Sequence, residues 1–284
     1  MDIKTIYPTH EVLKKHIQFY YFFSTNDPGF ESSYYAFPHM STPLNIHRLA
    51  DCKIDDRSIQ VFGSDHNPYI TILQGKYEEP LFIKLSGKLD KVTIIFSPLG
   101  LNHFIREPIS SVSTHHSQVF TSWNDKPEYT LMLQQFFATD VLEERAALLE
   151  TFLLTQYQPI ADYERMQNIL LQLADFDIEP SIAEIAAANH ISEKTMNRMF
   201  RKHIALSPVA YRKIARFRHS MNNKLFSDQL SSLTQIGYES NYYDQSYFSR
   251  IYKHMTGDNP SAFFNSIKKL GNEQVIFKFI RDMD

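Results

Sequence analysis

"DQSYFSRIYKHM", Asp244–Met255, repeats the chemistry of an earlier stretch, "SEKTMNRMFRKH", Ser192–His203. At an offset of 52, Met196 pairs with Phe248, Arg198 with Arg250, Met199 with Ile251 and Phe200 with Tyr252. The register runs on through Pro208 with Pro260 and Tyr211 with Phe263. Upstream the offset slips to 51, pairing Ile185 with Ile236 and His190 with Asn241. The slip falls in a turn, where an inserted residue is best tolerated.

Each copy has the parts of a helix-turn-helix. In the first, Ile182–Ala188 reads as a short helix, "NHI" as the turn and Ser192 as the N-cap of a second helix. On that helix Met196, Met199, Phe200 and His203 share one face by i, i+3, i+4 spacing. Lys194, Asn197, Arg198 and Arg201 point the other way. In the second copy Leu233–Glu239 is the short helix, "SNYY" the turn and Asp244 the N-cap. Phe248, Ile251, Tyr252 and Met255 face inward, and Gln245, Ser246, Ser249, Arg250 and Lys253 face outward. Arg can bond guanine O6 and N7 together, and Asn or Gln can bond adenine N6 and N7. Lys and small hydroxyls suit phosphate. Val209–Phe226 reads as one helix between the copies, about 27 Å long at ~1.5 Å per residue. Successive major-groove faces lie about 34 Å apart, so one linker helix can hold two recognition helices near one groove repeat.

Charge agrees in part. The chain is 284 residues long with net charge −3, yet Glu193–Leu225 holds nine Lys/Arg and one acid. An anionic partner and a solvated helix face account for that stripe equally well.

The first hundred residues read as β. Short runs rich in Phe, Tyr, Ile and Val alternate with turn residues: Ile17–Ser24, Tyr34–Phe37, Leu44–Leu49, Ile59–Gly63, Tyr69–Gln74, Leu81–Leu85 and Lys91–Ser97. That spacing predicts a sandwich or barrel. A short helix in "LGLNHFI", a helical pair within 127–157 and an amphipathic helix over Ile160–Ala174 follow, with Pro159 as the boundary mark. The expected class is α+β in two domains. Residues 1–158 form a β-rich, cupin-like barrel or sandwich with trailing helices. Residues 159–284 form an all-α domain whose core is 182–264, ending in a tail.

"SIAEIAAANHISEKTMNRMFRKHIALSPVAYRKIARF" together with "LTQIGYESNYYDQSYFSRIYKHMTGDNPSAFF" resembles the AraC/XylS family of bacterial transcription regulators. The second segment carries most of the likeness, with Gln-Ser-Tyr-Phe opening the helix and Gly-x-x-Pro closing it. The resemblance implies sequence-specific binding of double-stranded DNA. It places Lys194, Asn197 and Arg198 toward one groove and Gln245, Ser246, Ser249 and Arg250 toward the next; Arg201 and Lys253 join them as outward cations. It also implies an N-terminal domain that binds a small effector, forms a homodimer, or both, and contact with RNA polymerase in an activator. "KVTIIFSPLGLNHFI" is the N-terminal stretch most similar to such domains. Five positions depart from the family. His190 and Asn241 stand at the usual turn glycine, Gly237 at a usual alanine, and Tyr243 at a usual small residue. His203-Ile204-Ala205 lacks a glycine often found after the first recognition helix.

Other chemistry reads as absent. Cys52 is the lone cysteine, so no disulfide framework or cysteine zinc site is expected. His39, His47, His66, His103, His115 and His116 include no His-x-His, and they read as structural rather than metal-binding. No Gly-rich phosphate loop or G-x-S-x-G occurs, so no enzyme and no cofactor are expected. The aromatic run Phe19–Phe23, with Tyr34, Tyr35 and Phe37, reads as core packing ahead of an effector pocket. Trp123 reads as a loop anchor or an interface residue. With no apolar leader and no apolar run near ~18 residues, a cytoplasmic protein without membrane contact is expected. Two other readings compete: a cupin-like small-molecule-binding enzyme with an attached DNA module, and an architectural protein binding DNA without sequence preference.

Overall fold

The computed structural model describes residues 3–226, 232–271 and 275–280. Ten strands and four helical segments come first: β1 (Lys4–Ile6), α1 (Glu11–Lys14), β2 (Ile17–Thr25), β3 (Glu31–Ala36), β4 (Thr42–Arg48), β5 (Ala50–Asp55), β6 (Ser58–Gly63), β7 (Tyr69–Gln74), β8 (Leu81–Ser86), β9 (Leu89–Phe96), a 3-10 turn (Gly100–His103), α2 (Ile109–Val112), β10 (Ser117–Val119) and α3 (Pro127–Phe136). The helices α4 (Leu142–Gln156), α5 (Tyr163–Leu173), α6 (Ile182–Ala188), α7 (Glu193–Ile204), α8 (Pro208–Phe226), α9 (Leu233–Glu239), α10 (Gln245–Thr256) and α11 (Pro260–Ser266) follow. The chain then returns to β structure in β11 (Lys268–Leu270) and β12 (Val275–Phe279).

Two six-stranded sheets face each other, in the orders β1-β2-β9-β4-β7-β10 and β11-β12-β3-β8-β6-β5. All pairings are antiparallel except β6 with β8. The five aromatics of β2 show why this strand is apolar without alternation. Phe19, Tyr21 and Phe23 enter the core between the sheets, while Tyr20 and Phe22 enter a second core under α3 and α4. A strand buried on both faces needs apolar residues at every position. Arg145 of α4 fastens the helical layer to the sheet through two bonds to the Asp90 carboxylate, at 2.8 and 3.0 Å. Trp123 is fully buried and donates from Nε1 to the Phe104 carbonyl at 2.8 Å, so it anchors this layer internally.

The seven expected strands are present. The others lay outside those runs. Strand β5 covers "ADCKID", whose alternating charges mark an edge strand rather than the break the sequence implies. The tail departs furthest from expectation. Strand β12 pairs with β3 through Lys278 with Tyr35 and Phe279 with Tyr34. Val275 and Phe277 enter the core between the sheets. The segment after the last helix therefore crosses back and completes the N-terminal sheet; its end, 281–284, lies outside the described residues.

The two helix-turn-helix units have separate cores. Met166, Ile169, Ile185, Met196 and Phe200 form the first, and Phe217, Ile236, Phe248, Tyr252 and Phe263 the second. Helix α8 serves both, giving Tyr211 and Ala215 to one and Ile214, Phe217 and Met221 to the other. The β domain contributes a residue to each as well: Leu99 to the first and Phe37 to the second.

Candidate nucleic-acid interface

The first unit is set by its caps. Ser181 and Glu184 form a capping box at the start of α6. Ser192 accepts from the Thr195 backbone N–H at 3.1 Å and starts α7. Between them His190 takes φ 55°, the left-handed turn that the sequence assigned to a missing glycine. Met196 and Phe200 are fully buried, and Lys194, Arg198 and Arg201 are exposed. Asn197 is half-buried, and its Nδ2 donates to the Glu193 carbonyl at 2.9 Å. That bond uses one of the two Nδ2 hydrogens and leaves the second for another partner.

The second unit repeats the scheme. Ser232 caps α9, and Asp244 caps α10 by accepting from the Tyr247 N–H at 2.6 Å. Asn241 takes φ 54°, matching His190. Gln245, Ser246, Arg250 and Lys253 are exposed, and Ser249 is half-buried. The Arg250 guanidinium lies 5.9 Å from the Tyr247 ring centroid, which steadies its direction. Lys253 Nζ donates to the Gly257 carbonyl at 2.6 Å, at the C-terminal end of the helix. Its charge sits where the helix dipole favours a cation.

The structure divides the basic stripe. Lys194, Arg198, Arg201 and Lys202 are exposed on α7. On α8, four cations have internal partners. Arg212 donates to the Pro180 carbonyl, Lys213 pairs with Glu78, Arg216 pairs with Glu179, and Arg218 donates to the carbonyls of Phe37 and Pro38. Charge counting therefore overstated the surface available to an anionic partner. It also missed two exposed aromatics beside α10. Tyr243, 91% exposed, stands directly before the N-cap, and Tyr238, 74% exposed, is on α9. The signal for Tyr243 was its bulk at a position where a small residue is usual.

The β domain docks against both units. Asn102 Nδ2 donates to the His203 carbonyl at 2.9 Å, at the end of α7. Arg218 Nε and Nη2 reach Pro38 and Phe37 at 2.6 and 2.8 Å. Burial pushes the Arg218 guanidinium down to about 10, so it stays charged near neutrality. Beside it opens a cavity of about 100 Å³ whose walls include Phe19, Tyr21, Phe37, His39, Arg218 and Phe277. Three of the aromatics read as packing, Phe19, Tyr21 and Phe37, thus also line a cavity. Among the described residues no group of three or more His, Cys, Asp or Glu is placed to hold a metal.

A family model described as a helix-turn-helix domain matches residues 157–266. The arabinose operon regulatory protein of Escherichia coli (strain K12) is 31% identical over 100 residues, which is 35% of this chain and 33% of the relative. Residues 157–266 thus match a helix-turn-helix domain, and the chain shares part of its length with a regulator of that kind. It matches about a third of the length of that relative. Solved structures of ToxT from Vibrio cholerae align over more of the molecule. One at 1.65 Å covers 93% of this chain and 98% of its own, with 13% identity and TM-score 0.47. Another, of wild-type ToxT bound to an unsaturated fatty acid, covers 86% and 93%, with 15% identity and TM-score 0.46. Among the described residues no helix is long and apolar enough to cross a membrane.

Proposed function

We propose that this protein is a sequence-specific regulator of transcription that reads two adjacent major-groove segments of double-stranded DNA. Lys194, Asn197, Arg198 and Arg201 serve the first segment, and Gln245, Ser246, Ser249, Arg250 and Lys253 the second. The observation that carries this reading is the pair of exposed polar faces, on α7 and α10, joined by one 19-residue helix. At ~1.5 Å per residue that helix is about 28 Å long, which suits recognition helices on successive groove faces. The amide and hydroxyl groups on both faces favour base reading over binding by charge alone. The N-terminal domain modulates binding, through a homodimer contact within 1–158 or a small effector in the cavity beside Arg218. That cavity touches Phe37, a member of the second unit's core, so an occupant would bear directly on α10's support.

Selection from random duplexes should return a bipartite site. Affinity for it should fall steeply with salt, as expected when phosphate contacts release counterions. Arg198→Ala and Arg250→Ala should each cost about 1–3 kcal/mol and relax base preference at one position. Equal affinity for selected and random DNA would instead indicate an architectural protein. An unchanged site preference in the double variant would reject these helices as the readers.

A further inference from the structure

Arg216 lies on α8 between the two units, within the basic stripe. The structure gives it other work. Its side chain is 15% exposed, and Nη2 pairs with the Glu179 carboxylate. Nη1 donates to the Asn241 carbonyl at 3.2 Å. The guanidinium carbon lies 5.3 Å from the Phe176 ring centroid and 6.0 Å from that of Tyr242. Glu179 and Phe176 precede the first unit, and Phe176 is part of its core; Asn241 is the turn of the second unit, and Tyr242 is part of that core.

Asn241 adds a second tie. Its Nδ2 donates to the Phe176 carbonyl at 2.6 Å. A glycine would adopt the turn with less strain, but it could not make this bond. His190, the equivalent turn residue of the first unit, is exposed, and its ring makes no hydrogen bond among the described residues. Arg212 holds the same approach loop through the Pro180 carbonyl at 2.5 Å. Glu179 itself takes φ 48°, a region that a glutamate occupies at a cost, so its placement is enforced by these neighbours.

We propose that Arg216 and Asn241 are positioning residues that fix the angle between α7 and α10, and so the half-site spacing the domain accepts, without touching DNA. This rests on the two-groove reading above. One inserted base pair moves the second half-site by about 3.4 Å and turns it by about a tenth of a helical turn. Following that twist would require rotation about α8. A planar guanidinium paired with a carboxylate and set between two aromatic rings resists it.

The test uses the full chain and its selected bipartite site, with one base pair added or removed between the halves. The wild-type protein should lose on the order of tenfold in affinity on the altered spacings, while Asn241→Gly and Arg216→Gln should lose about threefold or less. Asn241→Gly keeps the left-handed turn and deletes only the bond, so it carries the test if Arg216→Gln fails to fold. The salt slope of Arg216→Gln on the best site should match the wild type, because a lost phosphate contact would lower it by about one. A fall of that size, or a spacing penalty unchanged in Asn241→Gly, would overturn the proposal. A DNA-free arm reads the clamp alone. With Cys52→Ser removing the native thiol, spin labels at Lys202→Cys and His254→Cys should give a narrow distance distribution that broadens with Asn241→Gly. If the wild type selects no bipartite DNA, the two-groove reading fails, and an unbroadened distribution would separately defeat the clamp.

Discussion

The two helix-turn-helix units differ most instructively at two pairs of equivalent positions. Ala186 is buried inside α6, where the second unit has Gly237 inside α9. Ala205 ends α7 at φ 61°, where the second unit has Gly257 ending α10 at φ 80°. Both times the first unit carries alanine and the second glycine, while the backbone demand reverses. A helix interior favours alanine, and a left-handed C-cap favours glycine. Each unit therefore has one position matched to its backbone and one that is not. The shared cores, caps and left-handed turns hold the common geometry despite these local mismatches.

The units also differ in core chemistry, and this predicts the largest effects. Phe200 meets the ring of Tyr211, whereas Phe248 packs against both Tyr242 and Tyr252. Phe→Ala at either site should cost about 3–5 kcal/mol, with Phe248→Ala the more costly by about 1 kcal/mol for the extra ring contact. Denaturant unfolding of both variants checks this, and equal costs would erase the distinction. Next come the N-caps. Ser192→Ala and Asp244→Ala should each lower stability by about 1 kcal/mol. Asp244→Ala should show the larger loss, because a carboxylate at a helix N-terminus also favours the dipole. The smallest effects test the reversed pairs directly. Ala205→Gly and Gly237→Ala should each raise stability, by about 0.5–1 kcal/mol. A Cβ on Gly237 would lie 3.4 Å from Gln245 Oε1, the end of a flexible side chain, so there is room for it. Thermal unfolding that shows a loss in either variant would break the comparison.

Much of this was legible in sequence because it repeats. Inward Met196 and Phe200, and the caps Ser192 and Asp244, follow from helical period and cap chemistry, and the packed units show them in those roles. The missing glycines were legible as departures, but the reason for Asn241 was not. Its bond to Phe176 joins residues 65 apart, and no local pattern encodes it. The internal partners of Arg212, Lys213, Arg216 and Arg218 were hidden for the same reason. A charge count sees cations and not the carbonyls and carboxylates that the fold brings to them. Strand β5 escaped notice because an edge strand needs little apolar sequence, whereas the apolar β12 escaped because it pairs with β3 from the far end of the chain.

The central claim is that α7 and α10 occupy neighbouring turns of one duplex. Hydroxyl-radical footprinting on the selected site tests it most directly, comparing the wild type with Arg198→Ala and Arg250→Ala. Two protected patches about 10–10.5 base pairs apart are expected, with each variant weakening only its own patch. A single patch, or loss of both patches in either variant, would contradict the account.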